Sequence, residues 1–151
     1  MSWVTPITDR GDLDIVNRTS KAYFNVADWN RIRDNNAVVM NLVNLMFGTS
    51  LTPDGISGPS TPTIPNAPYF NLMIHDIARA CVASGFATAP RYDWPDDGTA
   101  APNYVDVNGW ERALLDIYNR VHLSADGFAY CGVASVGMDF VNQNGFIILY
   151  P

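Results

Sequence analysis

Apolar residues recur at helical spacing in three parts of the chain. They predict helices over about residues 26–46, 68–85 and 109–122. The first helix should begin at Asn25, whose side chain can accept a hydrogen bond from a free amide of the first turn, and Asp28 can complete a reciprocal capping box. Gly48 marks its end. Asn108 and Glu111 repeat the capping pattern, which predicts the start of the third helix.

The last quarter of the chain changes period. Short apolar runs at 128–133, 136–141 and 146–150 are separated by glycines and by Asn144-Gly145, a strong hairpin signal. We therefore predict a small C-terminal antiparallel β-sheet over 127–151, and hence an α+β fold, since the helices come first and the strands last. The run at 146–150 is apolar on both faces, so another strand or another subunit should cover it.

Proline and glycine mark two long loops between the predicted helices. Five of the ten prolines fall within residues 48–68, and a second irregular stretch covers 87–107. Loops of this length are usually functional or disordered, and an ordered proline-rich segment such as 48–68 is expected to lie on another surface. The aromatic residues of 87–107 fit contacts with a partner and packing on their own domain equally well. Residues 1–24 lack a long periodic run and read as an N-terminal arm. The chain is interpreted as one domain: this arm, a helical part over 25–122 and a strand part over 127–151.

The composition narrows the choice of partners. Charged residues make up 16% of the 151 residues, against about 25% in an average domain. Interface cores are depleted in charge, so contacts with other proteins or with copies of the same chain are expected. The net charge is −6 and Lys21 is the single lysine, which excludes binding to nucleic acid through a basic face. No apolar run reaches the ~20 residues of a membrane span, and the start lacks a secretory signal, so we expect synthesis in a cytoplasm.

Few residues carry catalytic potential. His75-Asp76 and His122 offer acid–base groups, but no nucleophile motif accompanies them. The acidic run at 93–97 resembles half of a calcium loop and lacks the closing glutamate. We therefore predict no enzymatic activity, no metal and no cofactor. Cys81 and Cys131 are far apart and read as buried free thiols.

Aromatic residues are the candidate contact residues. Aromatic side chains anchor protein interfaces, and they also stack on sugar rings. The residues predicted to contact other subunits are Trp3, Phe24, Trp29, Trp94 and Tyr150. An alternative prediction is a host-surface glycan site formed by Tyr92, Trp94 and Tyr104.

Three segments resemble one family. Residues 3–10, Trp-Val-Thr-Pro-Ile-Thr-Asp-Arg, are similar to the Trp-x-Thr-Pro-x-Thr-Asp opening of small structural proteins of tailed phages that infect Gram-positive bacteria. Residues 23–32 resemble their Phe-Asn-x-x-Asp-x-Asn-Arg-Ile segment, and residues 110–118 resemble a helix that ends in Leu-x-Asp-Ile-Tyr. Trp29 and Arg33 depart from the pattern, which usually has leucine and glutamate there.

The resemblance implies a non-enzymatic structural role in the virion. It points to a subunit of the tail or baseplate, or one associated with a fibre, that assembles in the host cytoplasm with other virion proteins and with copies of itself. A head or decoration protein is the alternative within the same class. A glycan-binding module remains the alternative outside it.

Overall fold

The computed structural model describes residues 2–54, 67–91, 95 and 102–134, with side chains described as far as residue 124. Its helices are α1 (Asp12–Val16), α2 (Val26–Phe47), α3 (Ala67–Ser84) and α4 (Tyr104–Ala134), with a 3-10 turn at Ser20–Ala22. Each of α2, α3 and α4 packs on the other two. The largest side chains buried among these three helices are Trp29, Ile32, Met40, Met73, Ile74, Ile77, Trp110, Leu114 and Ile117.

An aromatic cluster joins the first turns of the three long helices. The ring of Phe70, near the start of α3, lies 5.3 Å from that of Trp29 in α2 and 6.0 Å from that of Trp110 in α4, measured between centroids. Trp29 and Trp110 also lie near the starts of their helices. The amino-terminal ends of α2, α3 and α4 therefore meet at one end of the bundle.

A second set of contacts fixes the direction of the helices. Phe86, which follows the end of α3, lies 5.6 Å from Phe47 at the end of α2. The guanidinium of Arg120, in the second half of the described part of α4, lies 5.8 Å from the same Phe86 ring. The three helices therefore run parallel rather than up and down.

Parallel packing explains the two long connections. A helix the length of α3, with 18 residues, spans about 27 Å at ~1.5 Å per residue. The chain must cover that distance again before the next parallel helix begins, which takes about eight or more extended residues at ~3.3 Å each. Proline suits such extended segments because it forms neither helix nor ladder. Parallel packing therefore requires long connections between the helices, whether or not a partner is present. The predicted loops at 48–68 and 87–107 extend too far, since α3 begins at Ala67 and α4 at Tyr104.

The first two predicted helices agree with α2 and α3 to within a few residues. The Asn25 side chain accepts hydrogen bonds from the amides of Ala27 and Asp28, at 2.8 and 3.2 Å, as the capping pattern predicted. Gly48 ends α2 in the left-handed conformation, with φ +64°, and Gly85 follows α3 with φ +67°. Both glycines supply the positive φ that a side chain disfavours.

The α+β prediction is wrong for the described part of the chain. Helix α4 continues to Ala134, so the predicted strand at 128–133 is helical, and the described residues contain no strand. A short apolar run fits a buried strand and a helix equally well, and extending an existing helix adds one hydrogen bond for each residue fixed. The runs at 136–141 and 146–150 lie outside the described residues.

Helix α4 also begins five residues earlier than the predicted start at 109. The side chain of Asn103 accepts a hydrogen bond from the amide of Val105 at 2.7 Å, and the Asp106 carboxylate accepts one from the Asn103 amide at 2.8 Å. This is the capping box that the sequence placed at Asn108 and Glu111. Asn108 and Glu111 lie inside the helix, so their side chains do not cap it and can bind other groups.

Candidate functional site

The N-terminal arm, residues 2–10, lies in a groove between α2 and α4. It has no regular secondary structure, and it runs opposite to the helices. Val4 contacts Asn35 near the middle of α2, whereas Arg10 contacts Asp28 in its first turn. From here on, residues 2–10 are called the arm, and the surface of α2 and α4 that holds them is called the arm groove.

Two asparagines hold the backbone of the arm as a neighbouring strand would. Asn35 accepts from the Val4 amide at 2.9 Å and donates to the Val4 carbonyl at 2.7 Å. Asn108 accepts from the Arg10 amide at 3.3 Å and donates to the Arg10 carbonyl at 2.8 Å. Each amide thus satisfies both polar groups of one arm residue, which an extended segment without a β-ladder otherwise leaves unpaired.

A buried cluster of four charges anchors the end of the arm. One terminal nitrogen of Arg10 donates to Asp28 and to Glu111, both at 3.0 Å. Arg31 donates to the same two carboxylates, each at 2.6 Å. The side chains of Arg10 and Glu111 are only 4% and 1% exposed. Two guanidinium and two carboxylate groups cancel in charge, which is what allows such groups to be buried.

The same cluster fixes the arm backbone and the start of α2. Glu111 accepts from the amide of Ile7 at 2.6 Å, and the Arg10 guanidinium donates to the Ile7 carbonyl at 2.6 Å. Asp28 places one oxygen in the cluster and uses the other to accept from the Asn25 amide at 3.0 Å, which closes the capping box. The helix cap and the arm therefore share one carboxylate.

The predicted interface aromatics that the structure describes pack within their own chain. Trp3 is half-buried and stacks on Tyr118 of α4, with ring centroids 3.9 Å apart and planes 8° from parallel. Phe24 is half-buried against Phe70, with centroids 5.4 Å apart. Trp29 is fully buried in the core, so it offers a partner no surface. Trp94 and Tyr150 lie outside the described residues.

The alternative glycan residues are only partly placed. Tyr104 is half-buried, and its hydroxyl donates to Asp12 of α1 at 2.7 Å. Tyr92 and Trp94 lie outside the described residues. A groove of about 400 Å³ lies nearby, between residues 87–91 and the first turns of α4. Arg91, Gly109 and Arg112 are among the residues that line it.

His75 belongs to a polar cluster with one residue that the sequence did not single out. Asp54, in the segment that returns along α3, lies 3.4 Å from the His75 ring nitrogen and donates its amide to Asp76 at 2.9 Å. Atoms of these three residues that can bind a metal lie within 4.8 Å of one another. However, the guanidinium of Arg79 donates to both carboxylates, at 3.1 Å for Asp54 and closer for Asp76.

The contacts of Arg79 indicate that this cluster has a structural role. It neutralises both carboxylates and also donates to the Thr52 carbonyl at 2.7 Å, so it fastens residues 52–54 to α3. Burial disfavours the charged form of Asp76 and raises its pKa, and the positive charge of Arg79 offsets part of this effect. The arrangement is therefore an ion-pair clamp on the return segment. The other candidate histidine, His122, is exposed and lies against Tyr118.

The central residues of the arm groove were missed by sequence reasoning. Arg10, Arg31 and Glu111 are charged, and such residues are normally assigned to the surface. One signal was present, because Glu111 lies between Trp110 and Leu114 on an apolar helix face in a chain with few charges. A charge at that position requires a buried counter-charge. Nothing in the sequence says that an arm about a hundred residues away supplies it.

The chain was compared with protein families, curated proteins and solved structures. No family model, no curated protein and no solved structure matches it. No helix in the described part is long and apolar enough to cross a membrane.

Proposed function

We propose that this chain is a non-enzymatic structural subunit of a tailed-phage virion, of the tail, the baseplate or a fibre-associated position. The observation that supports the proposal is the convergence of its three resembling segments. Residues 3–10, 23–32 and 110–118 are distant in sequence, and they meet at the arm groove.

The residues that carry the resemblance have architectural tasks. Trp3 of the first segment stacks on Tyr118 of the third. Asp28 of the second pattern pairs with Arg10, which directly follows the first pattern, and Arg10 also pairs with Glu111, which precedes the third. A shared pattern of this kind specifies how an arm is fastened to a bundle, which is a property that subunits of a common fold would keep. It supports a structural role for the pattern rather than a catalytic one.

The surface adds a second line of support. Several large apolar side chains are more than two-thirds exposed: Leu13, Val16, Leu45, Val82 and Leu123. Single exposed apolar residues are ordinary, but here they accompany a surface poor in charge. Subunits that are covered by neighbours after assembly have this character.

Proteomics of purified particles tests the proposal. Phage particles are banded from a culture that expresses the chain, and peptides of the chain are quantified against those of the major tail protein. A fixed ratio through successive purification steps is expected, with immunogold label at one site of the tail. Loss of the chain from banded particles while it persists in the lysate would contradict the proposal.

Glycan binding is a second candidate, favoured by the groove between residues 87–91 and α4. Charged and small residues line this groove together, which suits a sugar ring, and Tyr92 and Trp94 lie one and three positions after Arg91 in the sequence. Binding to host cell-wall glycan should disappear in Trp94→Ala and persist in Tyr69→Ala, which removes an exposed aromatic from α3. Equal binding by the two variants would exclude the groove as the glycan site.

A further inference from the structure

We infer that the arm groove also accepts the arm of a second copy of this chain, so that two subunits assemble by exchanging residues 2–10. The inference rests on the proposed structural role and deepens it, because it names the partner and the contact. The evidence lies in how the arm is held and in how it is connected to the bundle.

The groove recognises the arm as it would a separate peptide. Asn35 and Asn108 bind its backbone, Glu111 binds the Ile7 amide, and Trp3 and Arg10 are inserted as side-chain anchors. All of these contacts come from the side chains of α2 and α4. They depend on the arm sequence and not on which chain supplies it, so an exchanged arm makes the same bonds.

An empty groove would be incomplete. Without Arg10, the buried carboxylates of Asp28 and Glu111 share the single guanidinium of Arg31. Asn35, itself 1% exposed, would lose both of its bonds to Val4. Buried polar and charged groups that lose their partners destabilise the fold, so a groove whose own arm has left is stabilised by binding another arm. The arm of a second copy supplies the missing residues.

The linker between the arm and α2 is suited to opening. Residues 11–25 include no buried residue, although Leu13 and Val16 of α1 are apolar and about three-quarters exposed. Arg18 adopts φ +51°, a left-handed conformation that a side chain disfavours. Opening residues 11–22 relieves this strain and breaks the Tyr104–Asp12 hydrogen bond, but it leaves Phe24 packed on Phe70 and the Asn25 cap in place. Twelve extended residues reach about 40 Å, enough to reach a neighbour.

Concentration decides between the two arrangements. In an isolated chain the linker keeps the arm at high effective concentration beside its own groove. In an assembly, neighbouring grooves are equally close, and the apolar side chains of α1 gain a surface to cover them. Exchange is therefore expected at high protein concentration and should be set by the linker conformation.

Isotope mixing tests the exchange on the full chain. The double variant Thr8→Cys/Arg112→Cys places thiols where the Arg112 guanidinium approaches the Thr8 carbonyl, at 3.5 Å. Light and ¹⁵N-labelled chains are unfolded and refolded together at high concentration, diluted and bridged with a short bismaleimide. Mass spectrometry should then find bridged peptides that join one light and one heavy chain. Bridges confined to light–light and heavy–heavy pairs would overturn the inference.

A matched pair of linker variants sharpens the test. Arg18→Pro cannot adopt φ +51° and should favour exchange, whereas Arg18→Gly relaxes the closed linker and should disfavour it. We expect the mixed-bridge fraction to differ by about fivefold or more between them. Equal mixed-bridge fractions in the two variants would overturn the linker's role. Mixed bridges in the variant with Thr8→Cys alone or Arg112→Cys alone would show that Cys81 or Cys131 forms them, which would overturn the evidence for exchange.

The two proposals fail separately. Mixed bridges in a chain that is absent from purified particles would contradict the virion role and leave arm exchange standing. A chain present in particles that forms only intrachain bridges would contradict arm exchange alone.

Discussion

The indole of Trp3 lies almost parallel to the ring of Tyr118, with centroids 3.9 Å apart and planes 8° from parallel. Trp3 belongs to an arm without regular structure, and Tyr118 lies on the third long helix. Tyr118 in turn contacts the ring of His122, with centroids 4.4 Å apart. The stack therefore fixes the outer end of the arm, as the charge cluster at Arg10 fixes its inner end.

Substitution of Tyr118 should separate stacking from hydrogen bonding. Tyr118→Phe retains the ring and should change the free energy of unfolding by less than about 0.5 kcal/mol. Tyr118→Ala removes the surface on which Trp3 lies and should cost about 2–4 kcal/mol from lost burial and ring contact. Urea unfolding followed by tryptophan fluorescence measures both. A Phe variant as unstable as the Ala variant would contradict the stacking role.

Removal of Arg10 should destabilise the chain more than removal of an exposed cation. Arg10→Ala leaves two buried carboxylates with one guanidinium, so we expect a loss of about 3–5 kcal/mol. Lys21→Ala is the matched control, because Lys21 pairs with Asp9 at 2.5 Å where the two side chains are 40% and 69% exposed, and solvent screening should make its loss much smaller than that of Arg10→Ala. The comparison is made by urea unfolding. Equal losses would show that the buried cluster contributes no more than a surface pair.

The sequence predicted the helical elements better than it predicted how they are joined. Capping residues and period identified α2 because Asn25, Asp28 and Gly48 act within a few residues of each other. For α4 the predicted capping pair was Asn108/Glu111, whereas the structure places the cap at Asn103/Asp106, a pair of the same kind. Local rules cannot separate the two pairs, since Asn108 and Glu111 are used by an arm from the far end of the chain.

The direction of the helices was equally hidden. The sequence predicted that the long connections would contact another protein, whereas the parallel packing of the helices requires long connections in any case. The hydrophobic pattern of a helix shows which face is buried, but it does not show whether its neighbour runs the same way. Within the described residues, the strand predicted at 128–133 is helical, because a short apolar run fits a strand and a helix equally well.

Two neighbouring asparagines on α2 should respond in opposite ways. Asn35 and Asn36 are 1% and 2% exposed, but Asn35 bonds both polar groups of Val4. The buried side-chain oxygen of Asn36, by contrast, has no hydrogen-bond partner among the residues that the structure describes. Asn35→Leu should therefore cost about 1–3 kcal/mol, and Asn36→Leu should be neutral or stabilising by about 1 kcal/mol. Thermal or urea unfolding of the two variants gives the comparison. A destabilising Asn36→Leu would indicate a polar requirement at that position.

Cys81 should be chemically inert in the folded chain. It is a free thiol on the buried face of α3, and burial raises its pKa from 9.0 to about 11. At pH 8 a thiol with that pKa is about one part in a thousand thiolate, the species that reacts. Alkylation by iodoacetamide, measured on the peptide that contains residue 81, should be negligible in buffer and complete in denaturant. Rapid labelling of Cys81 in buffer would contradict its burial.

Acid should open α1 at a pH below the ordinary titration of aspartate. The Thr19 hydroxyl donates to Asp14 at 2.7 Å and the Gly11 amide at 3.0 Å, and these bonds hold the pKa of Asp14 below its usual 3.8. The stabilisation that this carboxylate gives α1 is therefore complete above pH 3.8 and is lost as the pH falls through the lowered value. An NMR titration of the Gly11 and Thr19 amides should show a midpoint below 3.8 in the parent chain. Thr19→Val removes the stronger bond and should move that midpoint upward, toward 3.8. A parent midpoint at or above 3.8 would mean that Asp14 does not hold the turn, and the closed linker would then depend on other contacts.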